Sequence, residues 1–233
     1  MADSTGKTCL IIGIVVAAVV AALIVAVGLV GALFWVSMAP SATPPPRPPL
    51  PRATAPAPSR PAPAEEERDP KWAKPIEKPG LPNLHKVSDQ LYRGAQPTAE
   101  GMKQLKAMGV RTVVNLRKFH SDRDEIGGTG LAYEHIYFNP LHPEDEEVVR
   151  FLQIVTDKNR LPAFVHCQHG ADRTGTMCAL YRIVVQGWSR DEAIREMTDG
   201  GFGHHEAVFG NLRDYIRELD IDAIKKRAGV ERR

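Results

Sequence analysis

Cys167 and Arg173 are separated by five residues in the run His166-Cys167-Gln168-His169-Gly170-Ala171-Asp172-Arg173-Thr174-Gly175. A short apolar run, Pro162-Ala163-Phe164-Val165, precedes it, and a segment with helical spacing follows Thr174. A strand that enters a helix through a loop of small residues aims several backbone N–H groups at one point. The helix N-terminus adds partial positive charge there, so the loop suits a phosphate-sized anion. Cys167 stands at the base of that hollow, where a thiolate would also be stabilised. Arg173 closes the loop with a planar fork that matches two phosphate oxygens. The chemistry expected is attack by sulfur on phosphorus, with Arg173 stabilising the equatorial oxygens. Thr174 carries a hydroxyl placed to donate to the Cys167 sulfur, or to cap the following helix. Gly170 and Gly175 are expected to permit loop dihedrals that a side chain would obstruct.

The run matches the His-Cys-x5-Arg-Ser/Thr-Gly signature, and the chain resembles the cysteine-based protein tyrosine phosphatase superfamily, in particular its small bacterial dual-specificity members. Further segments fit the same group: Leu91-Tyr92-Arg93-Gly94-Ala95-Gln96-Pro97, Val113-Val114-Asn115-Leu116-Arg117, Tyr181-Arg182, and Gly187-Trp188-Ser189 followed by Glu192-Ala193. The resemblance spans residues 83 to 218 and implies a phosphoprotein phosphatase. Its substrate would be phosphotyrosine, with phosphoserine or phosphothreonine besides, and it would need no cofactor or metal. It implies that His166 orients the loop backbone and supports the thiolate, and that Gln168, His169, Gly170, Ala171 and Gly175 line the substrate phosphate. It also implies a carboxylic acid that protonates the leaving oxygen from a loop upstream of the cysteine. That loop reads Asn139-Pro140-Leu141-His142-Pro143-Glu144-Asp145. Asp145 is the first candidate, although acidic residues at 144–147 also suit a helix start. Asp172 is the second, and an Asp directly before the loop arginine resembles phosphoinositide phosphatases. A non-protein phosphomonoesterase is therefore the alternative enzyme, and a catalytically silent phospho-binding module the alternative outside enzymology. Intact Cys167 and Arg173 argue against the module. A zinc reading of His166, Cys167 and His169 lacks a fourth ligand at recognisable spacing unless folding brings in His204 or His205.

The elements that must position these residues occupy the last two thirds of the 233-residue chain, whose formal net charge of +2 favours neither nucleic acid nor an acidic tail. Periodicity predicts strands at 91–93, 110–116, 131–138 and 163–166. It predicts helices at 98–108, 144–157, 174–186 and 189–198, with a final helical run around Leu212, Tyr215, Ile216 and Leu219. Residues 117–130 read as a polar, glycine-rich loop. Strands alternating with helices predict an α/β fold, a central mainly parallel sheet flanked by helices, as in dual-specificity phosphatases. The site then falls at the carboxyl ends of the strands.

Upstream, residues 1–8 form a short tail, and 9–38 are almost wholly apolar and uncharged, long enough for a transmembrane helix. Residues 39–82 are rich in proline and alanine and read as a disordered linker, leaving 83–233 as the catalytic domain. Pro44-Pro45-Pro46-Arg47-Pro48-Pro49 is a candidate ligand for a proline-reading domain. Lys7 on one side of the apolar run and Arg47 and Arg52 on the other leave the orientation open. The similarity to bacterial envelope phosphatases favours an extracytoplasmic catalytic domain on a single-pass anchor. Thr5-Gly6-Lys7-Thr8 lacks the preceding strand that a nucleotide-binding loop requires. Of the other cysteines, Cys9 borders the apolar run and Cys178 falls within a helix, so no disulfide framework is expected.

Overall fold

The computed structural model describes residues 68–230; the expected span at 9–38, the tail before it and most of the linker lie outside the described residues. Six strands form one sheet: β1 (Lys74–Pro75), β2 (His85–Lys86), β3 (Leu91–Gly94), β4 (Thr112–Asn115), β5 (Ala132–His135) and β6 (Ala163–His166). Their order is β1-β2-β3-β6-β4-β5. The β3, β6, β4 and β5 neighbours run parallel, whereas β1 and β2 add an antiparallel edge. The sheet is therefore mixed, with a parallel centre. Strand β6 lies between β3 and β4 with all four residues buried, which explains the apolar run that leads up to His166.

Helices cover both faces. Helix α1 (Ala99–Ala107) is capped by the Thr98 hydroxyl, which accepts from the Gly101 amide, and it stops where Gly109 adopts φ +83°. Its Met102 and Leu105 pack with Leu81, Leu84, Val110, Val113 and Phe164 into the smaller core. On the other face lie α3 (Asp145–Thr156), α4 (Asp172–Gln186), α5 (Arg190–Asp199), α7 (Asn211–Glu218) and α8 (Ile221–Ala228). Val148, Phe151, Leu152 and Val155, spaced along one stripe of α3, are all buried there. Ser189 and Glu192 form the capping box that starts α5.

Three expectations are corrected. Helix α4 begins at Asp172, not Thr174, so the end of the signature is already helical and Thr174 is not its cap. The segment 117–130 contains a helical turn, α2 (Arg123–Ile126), with Asp122 at its start. The folded unit includes residues from Arg68 onward, so 68–82 are not linker. Ala73 and Leu81 are buried, and Arg68 donates to the carbonyls of Gly200 and Ala73. The buried Arg182–Glu196 pair joins α4 to α5 by two hydrogen bonds of 2.7 and 2.5 Å. Glu196 also accepts from the Ala73 amide and Arg182 donates to Lys71 O, so the proline-rich approach is fastened to the helices. Among the described residues, no helix is long and apolar enough to cross a membrane.

Candidate active site

The loop between β6 and α4 occupies the carboxyl end of the central strand, where the ends of β3, β4 and β5 also converge. Cys167 is buried at its base, Gln168 and His169 are exposed, and Arg173 stands in the first turn of α4, half-buried. Gly170 takes φ +72°, and a Cβ there would lie 2.5 Å from the Gly94 carbonyl group. A side chain is excluded both by conformation and by space. Gly175 has a different reason for being glycine: within the helix, an added Cβ would come 2.7 Å from Met197 Cγ of α5. It permits close helix packing, not the loop dihedral expected. The Thr174 hydroxyl is buried and has no partner among the described residues, so it does not make the expected hydrogen bond to Cys167.

Neighbouring strands hold the loop. Buried Arg93, at the end of β3, donates to Gly170 O at 2.7 Å, and its guanidinium stacks on Phe202, 3.6 Å from the ring centroid. Asn83 donates from one amide nitrogen to His169 O at 2.9 Å and Phe202 O at 3.0 Å. The Gln96 amide reaches Gln168 O at 3.2 Å.

His166 is fully buried, and its Nε2–H donates to Asp122 Oδ2 at 2.7 Å. Asp122 also accepts from Gln96 Nε2 at 2.8 Å and Asn115 Nδ2 at 3.1 Å. Burial opposes charge on this carboxylate, but His166 and the other donors outweigh it and hold the carboxyl below its ordinary range. The second ring nitrogen of His166 lies 3.2 Å from Cys167 O, so the ring is fixed between Asp122 and the nucleophile's own backbone. Arg117 donates to Gln96 Oε1 and extends the network toward β4. Asp122, Arg93, Asn83 and Gln96 were not singled out from sequence as site residues, because each reaches the loop from a distant segment.

The two candidate acids are placed differently. Asp172 accepts from the His205 amide at 2.8 Å and His205 Nδ1 at 2.7 Å, and His204 Nδ1 lies 2.9 Å away. Burial works against its ionisation, but these donors prevail and bring its pKa down to about 2. Both carboxylate oxygens of Asp172 are thus engaged by the two histidines. Asp145 starts α3 and accepts from Tyr215 Oη at 3.1 Å, with Arg227 at 3.7 Å. Burial, followed by the Asp145 charge, raises the Tyr215 hydroxyl above its usual value, so Tyr215 stays the donor. The conceivable zinc set is not assembled, since His166 turns to Asp122, and His204 and His205 to Asp172. His120, Asp122 and Glu125 have donor atoms within 4.8 Å of one another. The Asp122 oxygens there are already committed to His166, Gln96 and Asn115. Cys178 is buried, which pushes its thiol up to about 11 and leaves it an inert core residue.

A thiol at the carboxyl edge of a central parallel strand, wrapped by a backbone loop and an arginine at a helix start, defines a cysteine-dependent phosphatase. The chain belongs to the dual-specificity phosphatase family: the family model described as "DSP-PTPase phosphatase fused to NAD+ Kinase" matches residues 70–207. It is 36% identical over 165 residues to the dual specificity protein phosphatase TpbA of Pseudomonas aeruginosa, covering 68% of this chain and 71% of that one. A crystal structure of a Cys-to-Ser variant of TpbA in complex with pTyr superposes with a TM-score of 0.63. It is 33% identical, covering 70% of this chain and 99% of the other. The catalytic core of the Saccharomyces cerevisiae PP-IP phosphatase Siw14, at 21% identity and TM-score 0.57, shares the fold over 64% of this chain and 93% of its own. The protein is a phosphatase.

Proposed function

We propose that the protein hydrolyses phosphotyrosine in proteins, with phosphoserine and phosphothreonine as further substrates, through a phosphocysteine intermediate. What supports this reading is Cys167, buried between the end of β6 and the start of α4, whose first turn carries Arg173. TpbA, similar over most of the folded region, was crystallised with pTyr. The Cys167 thiolate attacks phosphorus as the ester P–O bond breaks, and the leaving oxygen takes a proton. Water then attacks the phosphorus, the S–P bond breaks, and the thiolate and inorganic phosphate are released. Arg173 and the loop amides hold the equatorial oxygens throughout. Thr174, whose buried hydroxyl lacks a protein partner, has a free proton for the departing sulfur in the second step.

The non-protein phosphatase reading rested on Asp172, which is engaged by His204 and His205. The deciding experiment is an assay of the full chain on phosphotyrosine, phosphoserine and phosphothreonine peptides beside phosphoinositides. Faster turnover of phosphotyrosine peptides is expected; preference for phosphoinositides would replace the protein-substrate reading.

We also propose that residues 9–38 anchor the domain as a single membrane span with the catalytic part extracytoplasmic, and that residues 44–49 can meet a proline-reading domain. The support is the uninterrupted apolar run and the proline cluster. Full-length protein should stay with membranes through alkaline carbonate extraction, and its release would remove the anchor.

A further inference from the structure

The glycine-rich segment 200–205 is fastened beside the phosphate loop at several points. Arg68 binds Gly200 O, Asn83 joins Phe202 O to His169 O, and Arg93 of β3 stacks on Phe202. The segment ends on His205, whose backbone N–H and ring Nδ1 both bind the Asp172 carboxylate. This two-point attachment sets both the position and the tautomer of the ring. The opposite nitrogen, Nε2, has no partner among the described residues, and the side chain is 47% exposed. Its ring centroid lies 5.6 Å from that of His169, a residue of the phosphate loop itself.

We propose that His205, held by Asp172, is the proton donor to the leaving oxygen. The inference rests on the phosphatase reading. As sulfur bonds to phosphorus and the P–O bond breaks, the Nε2 proton passes to the leaving oxygen and the ring becomes neutral. In the second step Nε2 takes a proton from the attacking water as the S–P bond breaks, which restores the imidazolium and balances the cycle. Asp172 provides what such a ring needs, a fixed carboxylate on Nδ1 that orients it. The titratable groups around His205 are Asp172 of α4, His169 of the loop and His204 of its own segment, which also approaches Glu206. Beyond them lies the Glu206–Arg213 pair, which joins α6 (Glu206–Phe209) to α7. A carboxylate and the ring it holds at two points thus form one unit.

The test is kcat/KM of the full-length protein over a series of phosphate monoesters with leaving groups of rising pKa. His205→Gln should lose about 10²-fold on phenyl phosphate and phosphotyrosine peptide. It should lose much less on p-nitrophenyl phosphate, and the basic limb of its pH–kcat profile should flatten. His205→Asn, which can still donate to a carboxylate but carries no transferable proton, should behave alike, and Asp172→Asn should show the same trend at smaller amplitude. An equal loss on every ester, or none, would overturn the proposal. So would a leaving-group dependence that appears only in Asp145→Asn. Wild-type protein that turned over no ester, activated ones included, would instead sink the phosphatase reading beneath it.

Discussion

Asp122 and His166 lie 44 residues apart in the chain, yet the buried carboxylate accepts the ring N–H at 2.7 Å. Through that bond a loop after β4 sets the imidazole whose other nitrogen faces the backbone of the nucleophile. Gln96 and Asn115 converge on the same carboxylate, so the ends of three parallel strands meet at one charge.

Asp122→Asn keeps the shape but removes the charge that orients His166. A hydrogen bond to a charged group contributes about 1.5–3 kcal/mol. We expect kcat on p-nitrophenyl phosphate to fall about 10- to 100-fold with a smaller change in KM. An unchanged kcat in a folded variant would mean that the pair is structural only.

Cys167→Ser should abolish turnover while leaving phosphate-analogue binding largely intact, because the loop amides and Arg173 remain. Arg173→Lys should lose on the order of 10²-fold or more in kcat/KM, since an ammonium cannot make the bidentate contact. Isothermal titration with vanadate or phosphate, beside steady-state rates, separates the two effects.

Gly170→Ala places a methyl group where φ is +72° and the Gly94 backbone is 2.5 Å away. The loop must move, so activity should collapse while the sheet survives. Circular dichroism close to wild type together with wild-type kcat would refute this reading of the loop.

Asp172 links stability to pH. Its folded pKa is about 2, below the ordinary 3.8. The stabilisation is therefore complete above about pH 4 and is lost as pH falls toward 2, on the order of 2 kcal/mol in all. Urea midpoints of wild type and Asp172→Asn should differ at pH 6 and converge only as pH falls below about 2. A difference that persists unchanged into acid would exclude ionisation of Asp172 as its source.

Arg182 and Glu196 are both nearly inaccessible, with side chains 3% exposed. Removing one partner leaves an uncompensated buried charge, so Glu196→Ala should cost about 3–5 kcal/mol. Arg182→Met with Glu196→Leu should recover much of it. Thermal unfolding of the single and double variants measures the coupling.

What the sequence determined by itself is the part of the site that is contiguous. The strand Ala163–His166, the loop and the helix after it follow one another without interruption. Cys167, Arg173 and the left-handed Gly170 were therefore legible from residue type and spacing, and with them the α/β class. The helix caps at Thr98 and Ser189 were legible for the same reason, since a cap bonds within one turn. Tertiary structure alone decided which groups support that loop. Arg93 meets Gly170 across 77 residues, Asn83 meets His169 across 86, and His205 meets Asp172 across 33. Such contacts have no period and no fixed spacing; they arise because parallel strands bring their carboxyl ends, and the loops that follow them, to one edge. Two residues changed roles on folding. Asp172 reads as an acid when only its neighbour Arg173 is considered, but becomes an anchored anion once His204 and His205 are packed against it. Gly175 reads as a loop residue until Met197 occupies the space its side chain would need.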